Sequence, residues 1–261
     1  MPNSPTLAFA ALFSLASVPT LSVTTHHSIS RSAATSLVAS AQRAALSRGS
    51  VETSVSGDAG GFRFAGTIVG NRTTGYANVT VSGKAHGVGK ERLVKGKLYA
   101  YGSVGALEEM LSLPVAPPAK YGGRWLAVPR DLPTYAAAAS GLTLASVLHD
   151  ASPVDSGGSL RPKLAVLAAT KRDGIMVRAV KSTLTGLGTM VQATLYVRAS
   201  GSPLPVAYVA SMGKTVISSI TFEKWGVPVQ VAAPSGSLAP TSKEILLPVP
   251  QRSLKPAPKK K

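Results

Sequence analysis

A period of two runs through the C-terminal half of the chain. From Gln192 to Arg198, residues Ala193, Leu195 and Val197 point one way while Gln192, Thr194, Tyr196 and Arg198 point the other, the pattern of a half-buried strand. Ser200-Gly201-Ser202-Pro203 breaks it, Val206 to Ala210 forms a second strand, and Ser211-Met212-Gly213-Lys214 turns the chain again. Val216, Ser218, Ile220 and Phe222 share a face on a third strand. Trp225-Gly226 leads into a last short strand carrying Val227, Val229 and Val231, which Pro228 restricts to an edge. Tight turns between such strands make an antiparallel meander.

The N-terminal half begins with a helical period instead. From Arg31 to Arg48, Leu37, Val38, Ala41 and Ala45, joined by Ala34, fall on one face, with Ser36, Ser40, Gln42 and Arg43 opposite and Gly49 as the stop. From Val51 the period of two returns. Phe62, Phe64 and Ile68 oppose Arg63, Ala65 and Thr67; Ala77, Val79 and Val81 alternate with Tyr76, Asn78, Thr80 and Ser82; Val94, Leu98 and Ala100 oppose Lys95, Lys97, Tyr99 and Tyr101. Gly70-Asn71 and Gly83-Lys84 mark turns, so a run of four strands follows the helix.

The middle of the chain is mixed. Val104, Leu107 and Leu111 are spaced for one helix face, with Glu108 and Glu109 outside, until Pro114 to Pro118 stops the helix. Arg124 to Val128 reads as a short strand, and Tyr135 to His149 as an alanine-rich helical stretch with Leu142, Leu144, Val147 and Leu148 as its apolar residues. Asp155 to Pro162 is a glycine-serine loop; Leu164 to Ala169 and Ile175 to Lys181 read as two more strands, with Asp173-Gly174 as a hairpin turn. About ten short strands and two to four helices predict an α+β fold, with the helices segregated against one sheet.

The order of these pieces resembles the mycobacterial LppX/LprG-type lipoproteins, relatives of the LolA-like lipid carriers. The resemblance is carried by Gly201 to Pro205, Thr221 to Gly226 (T-F-E-K-W-G), Val227 to Val229 and Ala233-Pro234. Earlier it is carried by the helix followed by V-E-T-S-V-S-G from Val51, by E-R-L-V-K-G-K-L-Y-A-Y-G from Glu91, and by the Trp125 to Val128 segment. It spans roughly Arg31 to Pro234. It implies a strongly curved antiparallel β half-barrel of about ten or eleven strands, with helices covering the concave face. It also implies a hydrophobic cavity in which a lipid or glycolipid is carried across the cell envelope. On that reading the cavity residues are Leu37, Phe62, Phe64, Ile68, Val79, Val81, Leu98, Leu107, Leu111, Leu195, Val197, Ile220 and Phe222. By periodicity alone each is equally a residue of an ordinary core, and Trp125 and Trp225 read as structural. A pocket of roughly 300 Å³ or more would separate the two readings.

The chain departs from that family in one respect: it has no cysteine, so no lipobox residue is present to be acylated. The absence also rules out disulfides, thiolate metal sites and cysteine nucleophiles. Residues 1–30 contain the apolar run Leu7 to Leu15, with small residues at Ala16, Ser17 and Ser22, the length of a signal-peptide core and too short to span a bilayer. No Lys or Arg precedes Arg31. The expectation is an exported, extracytoplasmic monomer that is not lipid-anchored: a leader over 1–30, a lipid-binding domain over 31–234, and a disordered Pro/Lys-rich tail over 235–261.

Charge changes the picture of partners. Lys and Arg number 28 against 11 Asp and Glu, a net +17. Residues 243–261 hold six basic residues and one Glu, or +5, which leaves +12 spread over the rest. No RNP-like aromatic pattern, KH loop or basic recognition helix accompanies the charge, so no specific nucleic-acid partner is expected. Anionic membrane or wall polymer is the better match. Arg252, Lys255, Lys259, Lys260 and Lys261 are the expected contacts, at about 1 kcal/mol per basic residue near such a surface.

Catalytic patterns are not built. Gly213-Lys214-Thr215 resembles the end of a phosphate loop, but Tyr208 stands where the first glycine belongs and a turn between strands surrounds it. Gly186-Leu187-Gly188 starts a dinucleotide pattern that Val191 ends. No G-x-S-x-G elbow occurs. His26-His27 has no further metal ligand nearby, His86 and His149 are isolated, and the adjacent Glu108 and Glu109 diverge on a helix. The sequence therefore predicts no metal, no cofactor and no enzyme. It predicts a lipid carrier, or alternatively an envelope module that binds anionic polymer through its basic surface without cargo.

Overall fold

The computed structural model describes residues 31–59, 62–83, 86–154, 162–186 and 189–246. Helix α1 (Arg31–Arg48) has the bounds its period predicts and buries Ala34, Val38, Ala41 and Ala45, while Gly49, at φ 79°, ends it. A meander follows: β1 (Ser50–Ala59), β2 (Phe62–Asn71), β3 (Gly75–Gly83), β4 (Gly87–Val94) and β5 (Lys97–Gly102). Next come α2 (Val104–Met110), the two-residue β6 (Leu126–Ala127), α3 (Tyr135–Ser140) and α4 (Leu144–Asp150). A second meander runs through β7 (Lys163–Val166), β8 (Thr170–Arg172), β9 (Ile175–Gly186), β10 (Thr189–Arg198), β11 (Pro205–Met212) and β12 (Thr215–Trp225), and α5 (Ser242–Leu246) comes last.

The twelve strands form one curved, unclosed antiparallel sheet in the order β6-β5-β4-β3-β2-β1-β12-β11-β10-β9-β7, with β8 also paired to β9. The pairing of β1 with β12 joins the two meanders, setting Val55 opposite Ile220 and Thr53 opposite Phe222. Inward positions of adjacent strands line up: Phe64 faces Val81, Leu195 faces both Tyr208 and Val180, and all are buried. Helix α1 lies across β1, β7, β9 and β11; α2 lies on β4 and β5, α3 on β5, and α4 on β2 and α1. One core therefore sits between the sheet and a layer of helices.

Several expectations are corrected. The sequence showed four strands after α1 where five occur, because β4 turns Gly87, Gly89, Glu91 and Leu93 inward, a face with only one apolar side chain. Met110 fills the place of the missing side chain at Gly89, where a Cβ would collide with its sulfur. Val216 does not join Ile220 and Phe222. A register shift at Ala210/Ser211 puts Ser211 opposite Val216, which is left 50% exposed. Val227 to Val231 form no strand. They begin an extended strap that leaves β12, receives the Ser50 hydroxyl on the Val227 carbonyl (2.6 Å) and an Arg92 N–H on the Ala232 carbonyl (3.1 Å), then runs to β6. There Leu238 bridges Leu126 in parallel, and α5 buries Ile245 completely. Ordered packing thus continues past Pro234 to Leu246, because Leu238 and Ile245 are apolar anchors that the Ser/Pro composition hides.

The helical stretch from Tyr135 to His149 is two helices. The break at Gly141-Leu142-Thr143 rests on Gly70 and Gly75, which pair with each other across β2 and β3. A Cβ on either glycine would be driven into the Leu142 carbonyl. The Thr143 hydroxyl then caps α4 by accepting the Ser146 N–H (3.3 Å). Gly75→Ala should lift this connection and lower stability by about 2 kcal/mol or more. A urea midpoint equal to the wild type's would show that the contact is not holding α3 and α4 down.

Candidate functional site

The concave face offers a continuous apolar lining. Phe64, Ile68, Val79, Val81, Leu98, Leu107, Leu111, Leu195, Val197, Ile220 and Phe222 are all buried and belong to one cluster, with Leu37 and Phe62 half-buried against it. Apart from the 18-residue α1, the elements that cover the sheet are short. α1 contributes mainly alanines, α3 is Tyr135 followed by four alanines and Ser140, and α2 and α4 are seven residues each. Helices of that length are marginal by themselves and stay formed by packing. The space enclosed beneath α2 and the α3–α4 connection, bordered by Ile68, Ala77, Glu91, Met110 and Leu142, is about 10 Å³, room for one water molecule. The helices lie down on this part of the sheet, without the larger pocket that the family resemblance implies.

The buried Thr53 hydroxyl, in the middle of the lining, donates to the Ile68 carbonyl (3.2 Å), and unpartnered polar groups interrupt the lining on two strands. Glu91 on β4 is 4% exposed, and its Oε1 has no hydrogen-bond partner among the described residues. Burial pushes its carboxyl from an ordinary 4.5 up to about 8, so the acid is held neutral near pH 7. Tyr208 on β11 is 1% exposed, and its hydroxyl likewise lacks a partner. Burial first, and then the charge of Asp150 at the end of α4, push that hydroxyl upward. Asp150 is itself raised to about 6 by burial, against the opposing charge of His149. β3, β2, β1 and β12 lie between Glu91 and Tyr208, so the two polar groups flank the apolar middle of the sheet. Leaving such groups unpaired costs roughly 1–3 kcal/mol each, and an apolar site with a few placed polar groups is the usual composition of a small-molecule site.

The outer face has a groove of about 270 Å³, between Tyr76, Asn78, Lys90 and Arg92 on β3 and β4 and the strap at Gln230 to Ala232. Its cations lie over rings: Arg92 is 4.7 Å from the Trp125 centroid and Lys90 is 5.6 Å from that of Tyr101. Trp225 stacks on Phe222 at 5.3 Å. Both tryptophans are thus engaged in packing. Gly213-Lys214 is the turn between β11 and β12, with Gly213 at φ 60°, and carries no helix for a phosphate. Among the described residues no three His, Asp or Glu come close enough to hold a metal ion, and no helix is long and apolar enough to cross a membrane. Arg252, Lys255, Lys259, Lys260 and Lys261 lie outside the described residues, as do His26 and His27.

No protein-family model matches this chain, and no curated protein does. Among solved structures it is similar to the crystal structure of the Mycobacterium tuberculosis lipoprotein LppX, with 15% identity and a TM-score of 0.47 over 78% of this chain and 100% of that one. It is also similar to an uncharacterized conserved protein from Thermus thermophilus, with 9% identity and a TM-score of 0.42 over 80% of this chain and 99% of that one.

Sequence reasoning missed Glu91, Tyr208 and Asp150. The signal for Tyr208 was its phase with Ala210, and that for Glu91 its phase with Leu93; neither phase is assigned a face until the register is known.

Glu91 also sets a pH dependence. Its folded pKa lies above its unfolded value, so the native state retains a proton that the unfolded chain has lost between about pH 4.5 and 8, and stability falls as pH rises through that window. Glu91→Gln removes this slope. The melting temperature of the variant should gain on the wild type by several degrees between pH 5 and pH 8, corresponding to a few kcal/mol. A constant gap across that range would mean that the folded carboxyl is not held neutral.

Proposed function

We propose that this protein is a non-enzymatic lipid carrier that shelters the acyl chains of an amphiphile between the concave sheet and its helix layer. The observation that carries the reading is that two of the four buried unpartnered polar groups among the described residues, Glu91 and Tyr208, are set on strands into a continuous apolar lining, the other two, Ser112 and Thr134, lying in the segments beside α2 and α3. A core built only for packing gains nothing from either; the polar head of an amphiphile would partner one of them. The covering layer fits this use. Its pieces α2, α3 and α4 are only six or seven residues long and depend on packing for their stability, so a ligand that replaces their contacts with the sheet can move them more readily than the strands. An acyl chain gains about 0.8 kcal/mol per methylene sheltered, so a long chain can more than offset the lifting of such helices. The motif order that resembles LppX/LprG-type carriers agrees with this assignment, and the apolar run Leu7 to Leu15 supports work outside the cytoplasm.

Organic extraction and mass spectrometry of the full chain, purified from an actinobacterial host, should recover a lipid in near-stoichiometric amount, and a fluorescent fatty acid should bind the extracted protein. Tyr208→Phe should raise the melting temperature, by relieving an unpaired buried hydroxyl worth about 1–2 kcal/mol, while weakening the probe several-fold. Absence of both lipid and probe binding would overturn the carrier reading. Salt-sensitive retention on anionic vesicles in that case would replace it with a polymer- or membrane-binding module acting through the basic surface.

A further inference from the structure

The register of the first meander aligns two rungs on the face away from the core. One runs Glu52-Val69-Tyr76-Arg92-Tyr99 from β1 to β5, and the other runs Ser54-Thr67-Asn78-Lys90-Tyr101. The rung between them, Thr53-Ile68-Ala77-Glu91-Ala100, is buried and points inward. The strap lies over the first outer rung. Its Val227, Val229 and Val231 are half-buried while Pro228, Gln230 and Ala232 are exposed. Arg92 reaches the Ala232 carbonyl, and Val69 and Tyr99 are buried although they point away from the core. The second outer rung stays open, with Asn78 and Lys90 exposed. The groove of about 270 Å³ lies where strap and open rung meet.

The groove is fitted for negative charge. Both carboxylates that β1 carries are neutralised, Glu52 by Lys224 (3.3 Å) and Asp58 by Arg63 (2.8 Å). Lys90 and Arg92 form no ion pair among the described residues, and Glu91, between them in sequence, is buried on the opposite face. The two cations stand two residues apart on one strand, about 7 Å along the backbone. Arg92 is held in place. Its guanidinium lies over Trp125 (4.7 Å), Trp125 is tilted against Tyr101 (5.4 Å), and the strap takes one of its five N–H donors. A guanidinium so fixed loses little further freedom on meeting an anion. The other walls are polar and uncharged: the Asn78 and Gln230 amides and the phenol of Tyr76. Such walls suit hydroxyl groups, not an acyl chain. A phosphate monoester brings close to two negative charges and three acceptor oxygens at neutral pH, a match for two cations that a carboxylate cannot make.

We propose that this groove is a binding site for a sugar phosphate, with the phosphate between Lys90 and Arg92 and the sugar hydroxyls against Asn78, Tyr76 and Gln230. Its volume, at the small end of ligand pockets, fits one sugar ring. The sheet separates this groove from the concave lining, so the ligand is not the head group of a sheltered lipid. The assignment therefore stands without the carrier reading.

The test is calorimetric titration of the full chain with glucose 6-phosphate. Saturable binding at one site is expected, weakening as salt is raised. Lys90→Gln, altered at an exposed position, should lose about ten-fold in affinity, the effect of removing one charge-assisted hydrogen bond. Inorganic phosphate should bind more weakly than the sugar phosphate. Asn78→Ala should weaken glucose 6-phosphate several-fold and leave inorganic phosphate unchanged. No saturable binding, or wild-type affinity in Lys90→Gln, would remove the site. Equal affinity for glucose 6-phosphate and inorganic phosphate would overturn the sugar assignment.

Discussion

Everything else in this structure depends on the antiparallel pairing of β1 with β12. Each meander alone would be a strip with a bare edge at this seam; joined, they make one sheet wide enough to curve around a core. The seam is reinforced on both sides of the backbone ladder. Phe222 stacks against Trp225, Lys224 reaches Glu52 (3.3 Å), the Gly226 N–H donates to the Ser50 carbonyl (3.0 Å), and the Ser50 hydroxyl donates to Val227. Apart from the Phe222–Trp225 stack, which lies within β12, these partners lie 172 to 177 residues apart in the chain. Closing so long a loop is costly in entropy and slow, so the sheet is completed only after nearly all of the chain is available.

A sheet of this width presents more apolar surface than one helix can cover. The chain covers it in pieces, with α1 over one half and α2, α3 and α4 over the other. Small residues let those pieces sit close, most visibly where Gly70, Gly75 and Gly89 receive the Leu142 carbonyl and the Met110 sulfur. The cover is therefore closely fitted yet weakly self-sustaining. A wide sheet under a cover assembled from short pieces, with isolated polar groups in the lining, is what the proposed binding role of the concave side rests on.

Much of the architecture was legible in the residues. Alternation located β10, β11 and most of β2 and β3, the 3.6 period located α1, and Asp173-Gly174, at φ 49° and 83°, makes the expected hairpin turn. The failures share a cause: burial imposed by another part of the chain. β4 could not be recognised because its inward face is made of glycine and glutamate, which only the presence of Met110 above explains. The strap read as a strand because three alternating valines look alike whether they join a ladder or cross over one, and α5 was hidden in a Pro/Ser-rich context. The apolar lining was visible as a set of phases; whether a cover fills it depends on side-chain volumes across elements far apart in sequence. Glu91 and Tyr208 have the period of the core and the chemistry of the surface, so alternation alone left them without a side.

An open sheet has two free margins, and each is a template on which another copy could add a strand. The strap ends at one of them: Leu238 occupies the outer side of β6, itself only two residues long, with the Ala127 N–H donating to the Leu238 carbonyl (2.7 Å). The opposite margin is broken in its middle, since β7 and β8 both pair with β9 but leave Leu167-Ala168-Ala169 between them, and Lys163 and Lys171 stand exposed along it. Neither margin offers the long, flat, uncharged row that supports edge-to-edge growth. A half-barrel that never closes can in this way remain free of fibrous self-association.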